Sequence, residues 1–478
     1  MAMNNIDNVK AFLPLEYFKE ISKIPRGSGN ETEIASYLCD FAKKNGLWYS
    51  KDENNNVFIK KNATQGRENE DAILLQAHTD MVCEKNVSSS HDFTKEPIKL
   101  VFEGNILRAD GTTLGADDGY GVAIIMALLS DSSVSHPRLE CLFTSSEETG
   151  LVGASAFDYS VISAKSLINL DGAEENTVII GCCGGIRTEL TYPLEYEQTT
   201  LPAYDISIRG LYGGHSGEDI NKGRLNANTL MGKILSYVYE KAPIRVAKIS
   251  GGDKDNAIPR ECDATVVTSF PLCDIKDEIS NYARSFLKAK EDGNLTVEIK
   301  KSTTSKAFSE KATLDLIKIL SVPNGVLKYR ETPPILPKMS RNLARIRTSD
   351  NGFSVGFSSR AYLEPDLKAS TDELDKLAKD TGAATHHHEG YPGWESPSDS
   401  SLAKAWAKSY ERKTNTSPEI TLIHAGLECG IITSRVKDLT AISVGCNVHD
   451  LHTPNEVMEL DSFKRIYEVA SEFLKDFH

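Results

Sequence analysis

The sequence has no long apolar run, which argues against membrane-spanning helices. No stretch of about 18 apolar residues, the length needed to cross a bilayer, occurs in the 478 residues. The opening MAMNNIDNVKAFLP also lacks the basic region and apolar core of a secretory signal. We therefore expect a cytoplasmic protein with no membrane partner.

Basic residues are fewer than acidic residues in this sequence. The chain has 54 lysine and arginine residues against 68 aspartate and glutamate residues, a formal net charge of −14. Nucleic acids and anionic membranes repel a protein of this sign. We expect no nucleic-acid partner, and small substrates or metal cations fit the charge better.

The cysteines lack the pattern of a disulfide framework. Nine of them, an odd number, are scattered from Cys39 to Cys446 without a CxxC pair, and only Cys182 and Cys183 are adjacent. This usage is typical of free thiols in a reducing compartment. Each is expected to be a small buried apolar residue.

Apolar runs alternate with a helical pattern between about residues 70 and 171. AILLQAH, LECLF and SLINLD predict strands, and DGYGVAIIMALLS predicts a helix. The alternation predicts an α/β fold with a largely parallel sheet flanked by helices. Sites on such sheets lie at the carboxyl ends of the strands.

The pattern of predicted strands and helices changes after the turn GCCGG. An α/β pattern returns after YPGWESPSDS, a cluster of proline, glycine and serine typical of a junction. Between them, strands and helices predict an α+β region that includes a hairpin around an Asn-Gly turn. We expect one α/β domain of residues 1–186 and 394–478, interrupted by an inserted α+β domain of residues 187–393. The inserted domain is expected to contain one or two α+β modules.

Acidic and histidine residues cluster in short segments at or near predicted strand ends. A lone histidine or carboxylate is more often a satisfied structural group than a site, but five such segments are harder to dismiss. They are LLQAHTD with His78 and Asp80, LGADDG with Asp117, SSEETG with Glu147 and Glu148, INLDG with Asp171, and HDLHTPNE with His452.

The residue types in these segments indicate a metal site. Two imidazoles and several carboxylates without thiolates suit zinc, manganese or cobalt, and the number of oxygen ligands points to two ions that share a bridge. Asp80 lies two residues after His78 on the same strand face. It is therefore expected to orient that imidazole through its other ring nitrogen.

The adjacent glutamates of SSEETG are expected to have different roles. Neighbouring side chains at the end of a strand point to opposite faces. One carboxylate is thus free to bind a metal while the other acts on a substrate or a water.

The ordered motifs IPRGSGNE, AHTDMV, GADDGYG, SSEETGLVGA, NLDG, GGHSG and HTPNE resemble the Xaa-His dipeptidases. These aminoacyl-histidine dipeptidases, also called peptidase D or bacterial carnosinase, are di-zinc metallopeptidases related to acetylornithine deacetylase. The resemblance covers essentially the whole chain. It implies a zinc-peptidase-like catalytic domain and an inserted lid domain.

The resemblance also implies a role for each site residue. His78 and Asp171 would hold one divalent ion, most simply Zn²⁺, with Mn²⁺ or Co²⁺ as alternatives. Glu148 and His452 would hold the other. Asp117, the first acid of its pair, would bridge both ions, and Asp118 would start the following helix. Glu147 would remain as the general base.

Three residues of the inserted domain match lid positions that meet the substrate. His215 in GGHSG would help to stabilise the oxyanion, although a plain tight turn explains the glycines as well. Asn256 and Arg360 would meet the polar ends of the substrate. Arg360 could bind a carboxylate as a fork, whereas a surface salt bridge explains an isolated arginine equally well. His424 is a further possible substrate contact.

The sequence thus predicts a metal-dependent dipeptidase for unblocked dipeptides, with Xaa-His and β-alanyl-histidine types as candidates. An N-acyl amino acid deacylase with the same metals is the nearest alternative. A non-catalytic metal- or peptide-binding protein is another, although pure binding has no use for Glu147. Related enzymes use either a dimer or a doubled lid, so a homodimer is possible.

Overall fold

The computed structural model describes residues 12–194, 196–331, 336–397 and 399–477. The chain divides into two compact units. Unit 1 comprises Met1–Cys182, Trp394–Leu422 and Leu427–His478, and unit 2 comprises Cys183–Gly393 and Ile423–Gly426. The short segment Ile423–Gly426 therefore belongs to unit 2, although unit 1 residues flank it in the sequence.

The helices of the described residues are numbered in chain order. They are α1 (Leu13–Ile21), α2 (Thr32–Lys44), α3 (Ala116–Ser130), α4 (Val152–Ala156), α5 (Ala227–Lys241), α6 (Lys276–Arg284), α7 (Glu310–Leu320), α8 (Glu364–Thr381), α9 (Ser401–Thr414), α10 (Glu428–Arg435) and α11 (Leu460–Asp476).

The strands are numbered in the same way. They are β1 (Trp48–Lys51), β2 (Val57–Lys61), β3 (Ile73–His78), β4 (Leu100–Glu103), β5 (Ile106–Ala109), β6 (Leu139–Thr144), β7 (Ser166–Gly172), β8 (Thr177–Cys182), β9 (Gly184–Pro193), β10 (Glu197–Gln198), β11 (Ala203–Arg209), β12 (Gly214–His215), β13 (Arg245–Gly251), β14 (Ala257–Ile258), β15 (Cys262–Val267), β16 (Thr296–Ser302), β17 (Lys306–Ala307), β18 (Gly325–Tyr329), β19 (Pro337–Ser349), β20 (Gly352–Ala361), β21 (Ala384–His387), β22 (Trp394–Glu395), β23 (Glu419–Ile423), β24 (Thr440–Gly445), β25 (Val448–His449) and β26 (Val457–Glu459).

The main sheet of unit 1 has the strand order β1-β2-β6-β3-β7-β24-β8-β22, with β23 paired to β8. Its centre is parallel, because β3 pairs in parallel with β6 and β7, and β7 with β24. Towards the edges, β2 and β8 pair antiparallel with their neighbours. The parallel centre places the carboxyl ends of β3, β6, β7 and β24 at one edge of the sheet.

The central strands are buried because their residues are apolar on both faces. Every residue of β3 and β6 is buried, as expected for strands covered on both sides. Helix α3 is apolar around its whole circumference, and its residues from Tyr120 to Leu129 are buried. Buried polar exceptions occur within the strands, at Gln76 of β3 and Glu140 of β6, but the acidic and histidine residues of the site stand at the carboxyl ends of the strands or just beyond them.

Unit 2 is built on an antiparallel sheet with the order β16-β11-β15-β13-β19-β20-β9-β21, in which β18 pairs with β19. In its first half, β11, α5, β13, β15, α6 and β16 follow one another as β-α-β-β-α-β. The second half consists of β9, which precedes the first half in the sequence, and of α7, β19, β20, α8 and β21, which follow it. These elements have the same order, β-α-β-β-α-β. The two halves thus form α+β modules of similar strand order, joined where β13 pairs with β19.

The structure confirms the predicted fold class, an α/β unit with an inserted α+β unit. The nine cysteines are free thiols, as expected from their spacing, but the expectation that each is buried is wrong for Cys83, which is exposed, and for Cys39 and Cys273, which are half-buried. Within the described ranges, no helix is both long enough and apolar enough to span a bilayer.

Candidate active site

Strand ends of unit 1 bring the predicted polar residues together. His78 is the last residue of β3, and Asp171 lies next to the last residue of β7. Glu147 and Glu148 follow β6 after a short turn. Asp117 enters from the start of α3, where its backbone is not yet helical.

Two groups of ligand-type side chains meet at Asp117. In the first, the Nε2 atom of His78 lies 3.0 Å from Oδ1 of Asp117 and 3.6 Å from Oδ1 of Asp171. In the second, the Nε2 atom of His452 lies 3.2 Å from Oδ2 of Asp117 and 2.9 Å from Oε1 of Glu148. The two oxygens of one carboxylate therefore face two different imidazoles.

Asp118 occupies a different position from Asp117. It also comes within 4.8 Å of His78 and Asp171. Its oxygens, however, accept the backbone N–H groups of His78 at 3.1 Å and Gly121 at 3.2 Å. Asp118 is fully buried and holds the end of β3 against the start of α3, which leaves Asp117 as the shared acid.

The two glutamates of SSEETG differ in their surroundings, but not for the reason expected from a strand. Strand β6 ends at Thr144, and Ser146 has a left-handed φ of 51°. The glutamates therefore lie in a loop, and the turn at Ser146 directs them rather than strand alternation. Among the described residues, no group donates a hydrogen bond to the carboxylate of Glu147, whereas Glu148 contacts His452.

Asp80 joins the histidine to the glutamate loop. Its Oδ1 atom lies 3.3 Å from Nδ1 of His78 and accepts the N–H of Glu147 at 3.0 Å. Its Oδ2 atom accepts the N–H of Glu148 at 3.3 Å and the hydroxyl of Ser28 at 2.7 Å. One buried carboxylate thus lies against the His78 ring, without an aligned hydrogen bond to its Nδ1 atom, and fixes the backbone of both glutamates.

The electrostatics of the cluster favour positive charge. Burial acts to lower the pKa of His78, but Asp171 and Asp117 outweigh burial and raise this pKa well above its ordinary value. In the same way, Asp117 and Glu148 raise the pKa of His452 to about 11 against the effect of burial. Burial raises the pKa of Asp171 to about 7 and that of Glu147 well above its usual range. The crowded carboxylates therefore need cations beside them, which imidazolium groups or metal ions can supply.

The donor set fits divalent metal ions. It offers imidazole nitrogens and carboxylate oxygens only, the ligands that zinc and similar ions take in proteins. Within the described residues, the buried Oε1 atom of Glu148 has no aligned hydrogen bond despite its short distance to His452. Such a misaligned contact is expected when two side chains point at a common third atom rather than at each other.

Three buried charged residues that sequence reasoning missed support these loops. Arg26 donates to the carbonyl oxygens of Thr79 and Asp80 at 3.0 and 3.1 Å, and it also contacts the Gly115 carbonyl. Glu31 accepts the N–H of Ser146 at 3.0 Å. Glu456 accepts the N–H of Ala116 at 2.8 Å. All three stand in the motifs IPRGSGNE and HTPNE, so the motifs were the available signal, but the sequence does not show what each residue contacts.

Glu456 closes the loop that carries Asp117. Its side chain is 2% exposed. Its two oxygens accept the backbone N–H groups of four successive residues, at 2.7, 3.1, 2.8 and 3.4 Å, which are Leu114, Gly115, Ala116 and Asp117. The same HTPNE segment thus contributes His452 to the cluster and fixes the position of Asp117.

We expect Glu456→Gln to destabilise unit 1, because the amide NH₂ group would face backbone N–H groups that need an acceptor. The expected loss is about 3 kcal/mol of unfolding free energy. Urea denaturation would measure it. The half-buried Glu459, changed to Gln, is the matched control, and equal midpoints for the two variants would contradict the role assigned to Glu456.

The predicted residues of unit 2 also lie near one another. His215 and Ala257 are paired in the short β12–β14 ladder, and the Ser216 N–H donates to the carbonyl of Asn256 at 2.8 Å. The Nδ1 atom of His215 accepts the N–H of Glu218 at 3.3 Å. The structure therefore places Asn256 beside the His215 loop.

His424 is held inside unit 2 by both ring nitrogens. Its Nδ1 atom lies 3.0 Å from Sγ of Cys183, and its Nε2 atom lies 2.7 Å from Oγ of Ser340. Burial, followed by the nearby Arg360, lowers the pKa of His424 to about 3. His424 is therefore neutral, and the positive charge at this place belongs to Arg360.

The chain is similar in sequence to known peptidases. The chain matches the peptidase family M20/M25/M40 over residues 74–476. It is 34% identical over 470 residues to the cytosol non-specific dipeptidase of Escherichia coli (strain K12), with 96% of each chain covered.

Solved structures show the same similarity. The aminoacylhistidine dipeptidase from Vibrio alginolyticus matches with a TM-score of 0.85 and 31% identity, over 99% of this chain and 98% of that one. Human carnosine dipeptidase 1 matches with a TM-score of 0.54 and 10% identity, over 97% and 96% of the two chains. At that identity, the human protein shows a shared fold alone.

Proposed function

Because this chain belongs to the peptidase family M20/M25/M40, we propose that it is a metal-dependent dipeptidase that hydrolyses unblocked dipeptides. The membership confirms the resemblance predicted from the ordered motifs. The Escherichia coli relative is named a non-specific dipeptidase and the Vibrio relative an aminoacylhistidine dipeptidase. We take Xaa-His dipeptides, including β-alanyl-histidine, as the substrates to test first.

The observation that carries this proposal is the carboxylate of Asp117 between two imidazoles. We assign His78 and Asp171 to one divalent ion, His452 and Glu148 to a second, and Asp117 to both. Zn²⁺ suits these ligands best, with Mn²⁺ and Co²⁺ as alternatives. When bound, such a pair of ions activates a water and polarises the scissile carbonyl.

Glu147 is the proposed general base. It takes a proton from the attacking water as the oxygen bonds to the carbonyl carbon, and it delivers that proton to the leaving nitrogen as the C–N bond breaks. Its lack of a hydrogen-bond donor among the described residues leaves the carboxylate available for this transfer. Asp80 keeps Glu147 in place through the backbone N–H.

Unit 2 is the proposed lid, and its residues are assigned to the oxyanion and to the two ends of the substrate. His215 donates to the oxyanion, and Asn256 meets a polar end of the dipeptide. Arg360 binds the C-terminal carboxylate as a bidentate fork. His424 stays neutral beside Arg360, so it adds no positive charge of its own there.

Turnover of a small dipeptide panel, with metal analysis before and after chelation, tests the proposal. We expect Xaa-His dipeptides to be cleaved, activity to be lost on chelation and restored by Zn²⁺, Mn²⁺ or Co²⁺, and about two ions to be found per chain. Metal-loaded protein that binds dipeptides without cleaving them would overturn the enzymatic proposal.

The N-acetylated form of the same dipeptide separates this reading from a deacylase. A dipeptidase for unblocked substrates should cleave the free-amine dipeptide and lose most of its kcat/KM, by about 100-fold or more, on the acetylated one, because a blocked amine loses its charge and its donors. Preferred release of acetate from the N-acetyl substrate would identify a deacylase instead.

A cytoplasmic location is proposed from the name of the Escherichia coli relative.

A further inference from the structure

The guanidinium of Arg360 is buried in unit 2 with little to bind. Its side chain is in β20 and is 8% exposed. Nη1 donates to the hydroxyl of Tyr391 at 2.9 Å. Across the described ranges, no carboxylate forms an ion pair with this guanidinium, and its buried Nε has no hydrogen-bond partner. A buried arginine with spare donors is suited to an anion that arrives from outside.

Tyr391 is fixed by its own backbone. Its N–H and C=O both bond to Gly185, the N–H of each residue donating to the carbonyl of the other at 3.0 Å. Because this exchange holds the main chain at both ends, the direction of the side chain is set by the pairing with β9.

The ring of Tyr391 fits into a gap left by two glycines. A Cβ atom at Gly185 would lie 2.6 Å from the Tyr391 hydroxyl oxygen, and a Cβ atom at Gly426 would lie 2.6 Å from Cε2 of the ring. Any side chain at either position would displace the tyrosine. The hydroxyl therefore has a defined place beside Arg360, whose cross-strand neighbour on β9 is the same Gly185.

The surroundings leave Arg360 as the positive group of this cluster. Ser340, the cross-strand neighbour of Arg360 on β19, is bonded to the neutral ring of His424. Ser340, His424 and Tyr391 are uncharged, so they can fix the geometry of the arginine without neutralising it. An anion that enters meets a guanidinium whose position is already set, which lowers the ordering cost of binding.

We propose that Tyr391 is a positioning residue, whose hydroxyl holds the Arg360 guanidinium in the orientation that receives the C-terminal carboxylate of the dipeptide. The inference rests on the proposed function of Arg360. It makes Tyr391 a determinant of specificity for substrates with a free C-terminus, because a misdirected guanidinium loses one of two parallel hydrogen bonds to the carboxylate.

Tyr391→Phe tests the inference, since it removes the hydroxyl and keeps the ring that fills the gap. The metal-loaded variant is assayed on a free dipeptide and on the same dipeptide with a C-terminal amide. We expect kcat/KM for the free dipeptide to fall about tenfold, mainly through KM, with kcat within about twofold of the parent. The amide should be cleaved as by the parent. An unchanged unfolding temperature checks that the variant is folded.

Tyr192→Phe is the matched control. Tyr192 is in the same unit, and its hydroxyl donates to Asp315 at 2.8 Å, so the variant loses a comparable hydrogen bond away from Arg360. It should keep the parent preference for the free dipeptide. An equal loss of preference in Tyr192→Phe and Tyr391→Phe would overturn the inference.

Arg360→Met separates this inference from the function on which it rests. If Arg360→Met retains the parent preference for the free dipeptide, the proposed role of Arg360 is wrong. If Arg360→Met loses the preference and Tyr391→Phe keeps it, the positioning role alone is wrong. Adding Tyr391→Phe to Arg360→Met should have no further effect on KM, because the hydroxyl acts through the guanidinium.

Discussion

Glu147→Gln should lower the turnover of a dipeptide by about 10²- to 10⁴-fold, the range expected when a general base is lost. Glutamine keeps the shape of the side chain but does not accept a proton from water. Glu147 comes within 4.8 Å of ligand atoms of His78 and Glu148, but the shorter contacts around Asp117 involve no atom of Glu147. The variant should therefore hold as much metal as the parent protein.

The measurement pairs kcat on a Xaa-His dipeptide with metal analysis of the same sample. Glu53→Gln, at an exposed turn of unit 1, is the control for a change of one charge. It should behave as the parent in both assays. Unchanged turnover in Glu147→Gln would remove Glu147 from the mechanism, and loss of metal from that variant would show that Glu147 acts as a ligand.

The positions of the site residues at the strand ends could be predicted, because short-range sequence patterns determine where these strands begin and end. Short apolar runs bounded by polar residues gave β3, β6 and β7 close to their observed bounds, and an apolar stretch gave α3. Once such strands are parallel, their carboxyl ends share one edge. His78 and Asp171 therefore had to lie close together, and the glutamate loop after β6 lies beside them.

The approach of His452 to Asp117 could not be predicted in this way. The two residues are 335 positions apart, and His452 follows the minor strand β25, not a central strand. Strand β26 pairs with β5, and this pairing brings the end of the chain to the loop before α3. A sequence pattern does not specify such a long-range antiparallel pairing, so the resemblance to a family was the only guide.

Local sequence patterns also did not predict which charged residues are buried. Arg26 and Glu456 are surrounded by polar and glycine-rich sequence, which is typical of exposed loops. Their burial results from backbone N–H and C=O groups that need partners once the loops pack together. The sequence does not show which backbone N–H and C=O groups will lack a partner. The hairpin around Asn351 in unit 2, in contrast, could be predicted from its turn residues.

His452→Ala should reduce the metal content from about two ions per chain to about one, with loss of most turnover. His452 and His78 differ in exposure, since 49% of the His452 side chain is accessible and only 1% of the His78 side chain. Removal of the exposed imidazole leaves Glu148 and one oxygen of Asp117 for the second ion, too few for tight binding. The group of His78, Asp171 and Asp117 remains complete.

His449→Ala supplies the matched control, three residues earlier at the end of β25. Its Nε2 atom lies 2.9 Å from Oε1 of Glu459, and 54% of its side chain is exposed. Both variants lose an exposed imidazole that contacts a carboxylate, but only His452 faces Asp117. We expect His449→Ala to keep two ions and parent turnover after dialysis. Two tightly held ions in His452→Ala would refute the ligand assignment, because a site that needs this imidazole does not stay filled without it.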